Sequence, residues 1–494
     1  MEKLIITLLV FTPFIFSFIL MTPLFSDEEN ILRRYSKCFS ILHFIITIIA
    51  LLMFNFSTPD FMLRANFNWI NTLGINANLG LDAISLLMCT LTSFIFVISI
   101  FISKGMIKKN YRLYYSLMFF LQGAILGVFS TLDFFLFFLF WELELIPMYL
   151  LLLKWGSGNK EKTAMKFLLY TFFGSLFIFF AFLLIYFLNY FTTGIFTSNI
   201  LEIDLYNIQS WIKNSLFILL LIGFGVKLPI FPLHSWLPDA HSQAPTPVSI
   251  ILSSLLLKMG AYGILRFNLG LFEDSFIQYA HIIMLFGAIN LIYASICAVA
   301  QKDIKRIIAY SGAAHMGIFL IGLASLSTIG IVGSLFELFS HALITTGLFI
   351  IAGIIYKNCG TKNLNRLQGL GIKMPRLMFL SIPIIFAAVG IPLLSGFIAE
   401  FLSFLGAFTS EIKNAQWITL IALTSIIICS VYILKIFHGI FFGEQLEKYK
   451  QVRDININQT VILFVIVMYI TLLGIFPSIL TDIFSLTFNF EGVF

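Results

Sequence analysis

Charge is scarce in this sequence. Only 11% of its 494 residues are Asp, Glu, Lys or Arg, while 60% fall in the apolar set. A soluble domain carries about 25% charged residues, so the shortage excludes a water-soluble globule, a nucleic-acid binder and a disordered chain. Cysteine is scarce too. The five present (Cys38, Cys89, Cys297, Cys359 and Cys429) form no CxxC, which argues against a disulfide framework, iron–sulfur ligation and a zinc site. Long polar linkers are missing, so no soluble domain interrupts the chain. No connection carries a nucleophile–base triad, a phosphate-cradling glycine loop or a metal box.

What the chain does have is fourteen apolar blocks near the ~20 residues a helix needs to cross a bilayer. They are too long for barrel strands, which alternate over about ten residues. The first block, Leu4–Leu24, has one preceding basic residue and no small-residue cleavage site, so it reads as a retained helix and not a signal peptide. Alternate connections hold 22 of the 30 Lys and Arg residues, and the opposite side holds 5. Cytoplasmic loops retain positive charge. The alternation therefore predicts an even number of helices with both termini on the non-cytoplasmic side. The net charge of +6 thus reflects topology and does not point to an acidic partner.

The three remaining cations, Lys227, Lys258 and Lys435, lie inside spans. An ionisable group near the bilayer centre costs about 2.5–3.5 kcal/mol on insertion scales and marks a functional site by default. The candidate series is Glu142 in the fifth span, Lys227 in the seventh, Lys258 in the eighth, His315 in the tenth, His341 in the eleventh and Glu400 in the twelfth. Glu337 stands one turn from His341. Lys435, near the end of its span, reads as a snorkelling side chain. Glu144 lies about 200° around an ideal helix from Glu142, and is expected off the axis that Glu142 faces.

Two of these spans are interrupted. Pro229 and Pro232 follow Lys227, and Gly390, Pro392 and Gly396 precede Glu400. Proline removes a backbone donor, and non-helical backbone at membrane depth is tolerated where protein buries it or a hydrated cavity meets it. If the fourth to eighth and ninth to thirteenth helices are two five-helix repeats, both breaks fall at the same position, as in inverted-repeat transporters. A Glu142–Lys227 pair that alternates between contact and separation moves a proton, and histidines suit the relay between such pairs. The bland alternative is a set of structural ion pairs and packing kinks.

The stretch from Gly223 to Arg266, GFGVKLPIFPLHSWLPDAHSQAPTPVSIILSSLLLKMGAYGILR, resembles the signature of the subunit 4 antiporter-like chain of proton-pumping NADH:quinone oxidoreductase, the respiratory complex I family. GLDAISL at Gly80, FFLFWELELIPMYLLLLKWG at Phe137, AQKDIKRIIAYSGAAHMG at Ala300, SHALITTGLF at Ser340 and GIPLLSGFIAEF at Gly390 extend the likeness from about residue 80 to residue 440. The resemblance implies an all-α polytopic protein of about fourteen transmembrane helices, with two inverted five-helix repeats and broken helices 7 and 12. Its parts are then 1–113 (three N-terminal helices), 114–267 and 282–442 (the repeats) and 460–494 (the last helix).

By motif, the family's proton-path residues correspond to Glu142, Lys227, Lys258, His315, His341 and Glu400. The resemblance implies that this chain binds no cofactor and no metal. NADH, or NADPH or ferredoxin, together with flavin, iron–sulfur clusters and quinone, belongs to other subunits. Partners are the other membrane-arm and peripheral subunits, the lipid bilayer and protons. The WLPDAH and WELEL forms are more like bacterial and cyanobacterial or plastid members than mitochondrial ones, which suits a bacterial cytoplasmic or a thylakoid membrane. A subunit of a multi-component cation/proton antiporter or of a membrane-bound hydrogenase is the main alternative, and a silent structural scaffold is a third.

Overall fold

The computed structural model describes residues 2–487. Among these residues thirteen helices are long and apolar enough to cross a membrane. The expected twelfth span, Leu377–Phe408, is present as two shorter helices, Pro375–Val389 and Ser395–Phe408, which brings the number of crossings to the fourteen read from the sequence. The protein is a multi-pass helical membrane protein. Of the expected C-terminal segment 460–494, helices Ile457–Ile475 and Ser478–Thr487 are described, and 488–494 lie outside the described residues.

One element escapes the all-helical reading. Met62–Ile70 and Ile75–Leu81 pair as an antiparallel hairpin between the second and third spans. Its turn requires Gly74, whose φ of +58° is left-handed and whose missing Cβ admits the Phe196 carbonyl.

The chain forms two compact units, Met1–Leu228 with Lys258–Gln278, and Pro229–Leu257 with Tyr279–Phe494. In the first unit the fifth span is broken as well as the seventh. Helix Phe134–Leu143 ends, Glu144 is a turn residue, and helix Leu145–Trp155 begins. Pro147 is the cause, because it has no amide hydrogen for the Leu143 carbonyl and its ring crowds that oxygen. The seventh span ends as helix at Lys227, just before Pro229, as expected. In the second unit the break is at 390–394, where Gly390 takes φ +80°. The eighth span, Thr246–Leu269, contains two π-helical stretches, Leu252–Leu256 and Ile264–Leu269, and Lys258 sits on the α-helical turn between them.

Each unit contains the same backbone clamp. In the first, Asp133 caps helix Phe134–Leu143 by accepting from the Phe135 and Leu136 amides, and its backbone bridges to Asn199, which caps the short helix Ile200–Glu202. The cross-connections are Phe134 N to Ser198 O at 3.0 Å and Ile200 N to Leu132 O at 2.8 Å. In the second, Asp303 caps helix Ile304–Ala324 and bridges to Asn363, which caps Leu364–Arg366. The matching bonds are Ile304 N to Lys362 O at 2.9 Å and Leu364 N to Lys302 O at 2.8 Å. Two copies of one repeat would carry such a duplicated device.

Asp133 lies outside the spans and is fully buried. Burial pushes its carboxyl up to about 6 from 3.8, against the Ser198 hydroxyl and the capping amides, which hold it down. An acid with a raised pKa costs stability above that pKa, and the cost disappears as pH falls from about 6 towards 3.8; at neutral pH it is about 3 kcal/mol at most. Asn caps as well as Asp. Asp133→Asn is therefore expected to raise the melting temperature at pH 8 and to change it little at pH 4, measured by thermal unfolding in detergent. A loss of stability at pH 8 would show that the charge itself holds the clamp.

Candidate functional site

In the first unit Lys227 is the last residue of helix Ser210–Lys227, where the coming prolines leave the chain free to turn. Its ammonium is ion-paired with Glu144 and lies over the Trp141 ring, 4.1 Å from the centroid. Both partners are sealed, with side-chain exposures of 2% for Lys227 and 0% for Glu144. This corrects the expected pairing. The separation of Glu142 and Glu144 around the helix is kept, because Glu144 itself has right-handed helical φ/ψ of −72° and −24°, and it is Glu144 that stands on the face toward the lysine. Glu142 is half-buried near Ser175 and within electrostatic reach of Lys227 and Glu144. Lys227 thus has one carboxylate in contact and a second near it.

Lys258 is fully buried in the same unit. Gly260, two residues on, packs so closely on the Phe224 carbonyl and the Leu228 amide that a Cβ would not fit. The Lys258 turn therefore lies against the end of the helix that carries Lys227. Broken helices and a close glycine contact bring Glu142, Glu144, Lys227 and Lys258 to one region of this unit.

The second unit collects His315, Glu337, His341 and Glu400, all buried. His315 Nδ1 is 3.0 Å from Glu337 Oε1, and the rings of His315 and His341 are 5.2 Å apart. An N–H at Nδ1 donates to the Glu337 carboxylate and fixes the ring. Glu400 is within electrostatic reach of His315 and Glu337. The Gly390 Cα lies beside the Glu400 carboxylate with no room for a Cβ, and the same carboxylate lines a cleft of about 420 Å³ with Phe397, Phe401 and Phe404.

Sequence reasoning placed all six candidate residues at buried or half-buried positions next to breaks or to one another, but it left Glu144 and Glu337 off the site. The first carries no signal beyond its own place inside a span. For the second the signal is the spacing of Glu337 and His341, which share one face of helix Thr328–Cys359. Lys435 does not snorkel. Its ammonium donates to Val299 O at 2.8 Å and Gln301 O at 3.4 Å, capping the end of helix Glu273–Ala300, where a cation suits the helix dipole.

A many-span helical protein that holds acid–base pairs at membrane depth, beside broken helices, has the architecture of an ion translocator. Residues 131–430 match the family described as the transmembrane region of NADH:quinone oxidoreductase and Mrp antiporters. A curated relative, NAD(P)H-quinone oxidoreductase chain 4 2 of Thermosynechococcus vestitus, is 35% identical over 98% of this chain and 90% of its own length. NADH-quinone oxidoreductase subunit M of Rickettsia prowazekii is 37% identical over 91% of this chain and 90% of its own. A chain of respiratory complex I from Thermus thermophilus, solved with bound NADH, superposes with a TM-score of 0.86 at 26% identity, covering 98% of this chain and 100% of that one. The chain belongs to the NADH:quinone oxidoreductase/Mrp antiporter transmembrane family.

Proposed function

We propose that this chain is a proton-translocating membrane-arm subunit of an NADH- or NAD(P)H:quinone oxidoreductase. The observation that carries the reading is the Lys227–Glu144 pair, held dry at two helix breaks with Glu142 as a second acid beside it. A buried ion pair is weak evidence for stability, and an intramembrane one is a functional-site hypothesis by default. The site residues are Glu142, Glu144, Lys227 and Lys258 in the first unit, and His315, Glu337, His341 and Glu400 in the second. Lys227 releases Glu144, the lysine or the freed carboxylate changes its proton, and the imidazoles pass protons on.

Quinone reduction drives the cycle from other subunits, which hold the electron donor site, flavin, iron–sulfur clusters and quinone. This chain is their non-redox translocase partner. It lies in a bacterial cytoplasmic or thylakoid membrane with both termini on the non-cytoplasmic side, as the 22-to-5 distribution of loop cations supports.

The test is the composition of the complex purified through a tag on this chain. Quinone-site and iron–sulfur subunits, with quinone reductase activity in the same fraction, are expected. Purification with antiporter subunits alone, without that activity, would overturn the assignment in favour of a cation/proton antiporter.

A further inference from the structure

The duplicated clamp isolates something extra in the second unit. Where the first unit has Phe135 and Ser198, two residues after and one residue before the paired clamp positions, the second has Lys305 and Lys362. Lys305 is buried, at 3% exposure, although its sequence position is that of a loop cation. Its ammonium donates to the Ala244 carbonyl at 2.7 Å and to Ser249 Oγ at 3.3 Å. In front of it Lys362 Nζ is 3.3 Å from Asp303 Oδ2, and both residues line a cavity of about 570 Å³ beside Gln301 and Tyr356. Ser242 joins the pair, donating to Asp303 Oδ2 at 2.8 Å and accepting from Lys362 at 2.7 Å.

Behind Lys305 the polar groups continue. Ser249 and Ser253 are separated by four residues, about 6 Å of rise along a helix. A Cβ placed on Gly312 would stand 3.7 Å from Ser253 Oγ and 3.6 Å from His341 Nε2, so the hydroxyl and the ring close over the same glycine. His341 then faces His315.

We propose that this row is a proton-entry route into the second unit, with Lys305 as the buried group that takes a proton from the Asp303–Lys362 vestibule and hands it to His341. The inference rests on the proton-translocating reading above. The Lys305 ammonium gives a proton to Ser249 Oγ, whose own proton leaves the His241 carbonyl to which it is donated at 3.0 Å and moves on through Ser253 to the imidazole, which ends as imidazolium. The neutral Lys305 Nζ then takes the proton that the Asp303 carboxylate has picked up and returns to the ammonium. The vestibule lies on the face that the loop cations assign to the cytoplasm. Lys305 and Asp303 Oδ2 are thus proton-transfer groups, whereas Asp303 Oδ1, Asn363 and the amides they cap form the clamp common to both units.

The test uses the assembled complex in proteoliposomes, with proton uptake and quinone reduction read separately. Arginine keeps the charge and the donors of Lys305 but cannot release a proton. Lys305→Arg is therefore expected to assemble with wild-type thermal stability and to slow uptake at least about tenfold. Gly312→Ala, whose methyl meets only ordinary contacts, is expected to slow uptake severalfold without loss of assembly. Lys435→Met, which removes a helix cap, is expected to leave uptake unchanged. Wild-type uptake by Lys305→Arg would make Lys305 a structural cap and overturn the route. If the route alone is wrong, removal of the Lys227–Glu144 pair still stops uptake; if that variant pumps normally, the proton-translocating reading itself is wrong.

Discussion

Glu144→Gln is expected to destabilise the protein strongly, and Glu142→Gln is expected to stop proton transfer with little loss of stability. Glu144 is the contact partner of a sealed ammonium. Removing one member of a buried pair leaves an uncompensated charge and typically costs about 3–5 kcal/mol. The lower end, about 3 kcal/mol, is expected because Glu142 stays within reach of Lys227. Against a total stability of roughly 5–15 kcal/mol this is a large fraction, and it should appear as a lower melting temperature and a reduced yield of assembled complex.

Glu142 is half-buried and does not hold the lysine directly. Its replacement by glutamine keeps a polar side chain of the same shape and is expected to cost less than about 1 kcal/mol. In the proposed cycle it removes the second acid near Lys227, so proton uptake is expected to fall with the complex intact. Uptake at the wild-type rate in Glu142→Gln would show that Glu144 and Lys227 work without it.

The helical scaffold is legible in the sequence because bilayer thickness dictates block length and loop cations dictate direction. Lys227 and Lys258 stand out for the same reason, since a charge inside a twenty-residue apolar block is too costly to persist without a task. The breaks at Lys227 and Gly390 are written in prolines and glycines beside the charges. The Glu144 pairing is less visible, because helix geometry sets Glu142 and Glu144 apart without saying which of the two faces Lys227. The Met62–Leu81 hairpin is hidden because it lies in the connection 54–82, outside the apolar blocks from which the spans are read. Lys305 is the instructive miss. Counted as a loop cation it orients the chain, and only packing shows that its ammonium is buried on Ala244 and Ser249. Lys435 errs in the opposite direction, since a charge inside a span turns out to cap a helix.

The second large effect concerns the pair as a whole. Lys227→Met/Glu144→Leu removes both charges together and keeps most of the side-chain volume, and such hydrophobic replacements of buried pairs are often neutral for stability. The double variant therefore separates folding from function, which neither single change does. Proton uptake per quinone reduced, measured on this double variant in proteoliposomes with assembly verified, is the decisive quantity. If the buried pair carries protons, uptake falls to less than about a tenth of wild type, in line with the loss of a general acid–base group. Uptake at the wild-type ratio in a fully assembled complex would contradict it and leave the chain a structural member of the membrane arm.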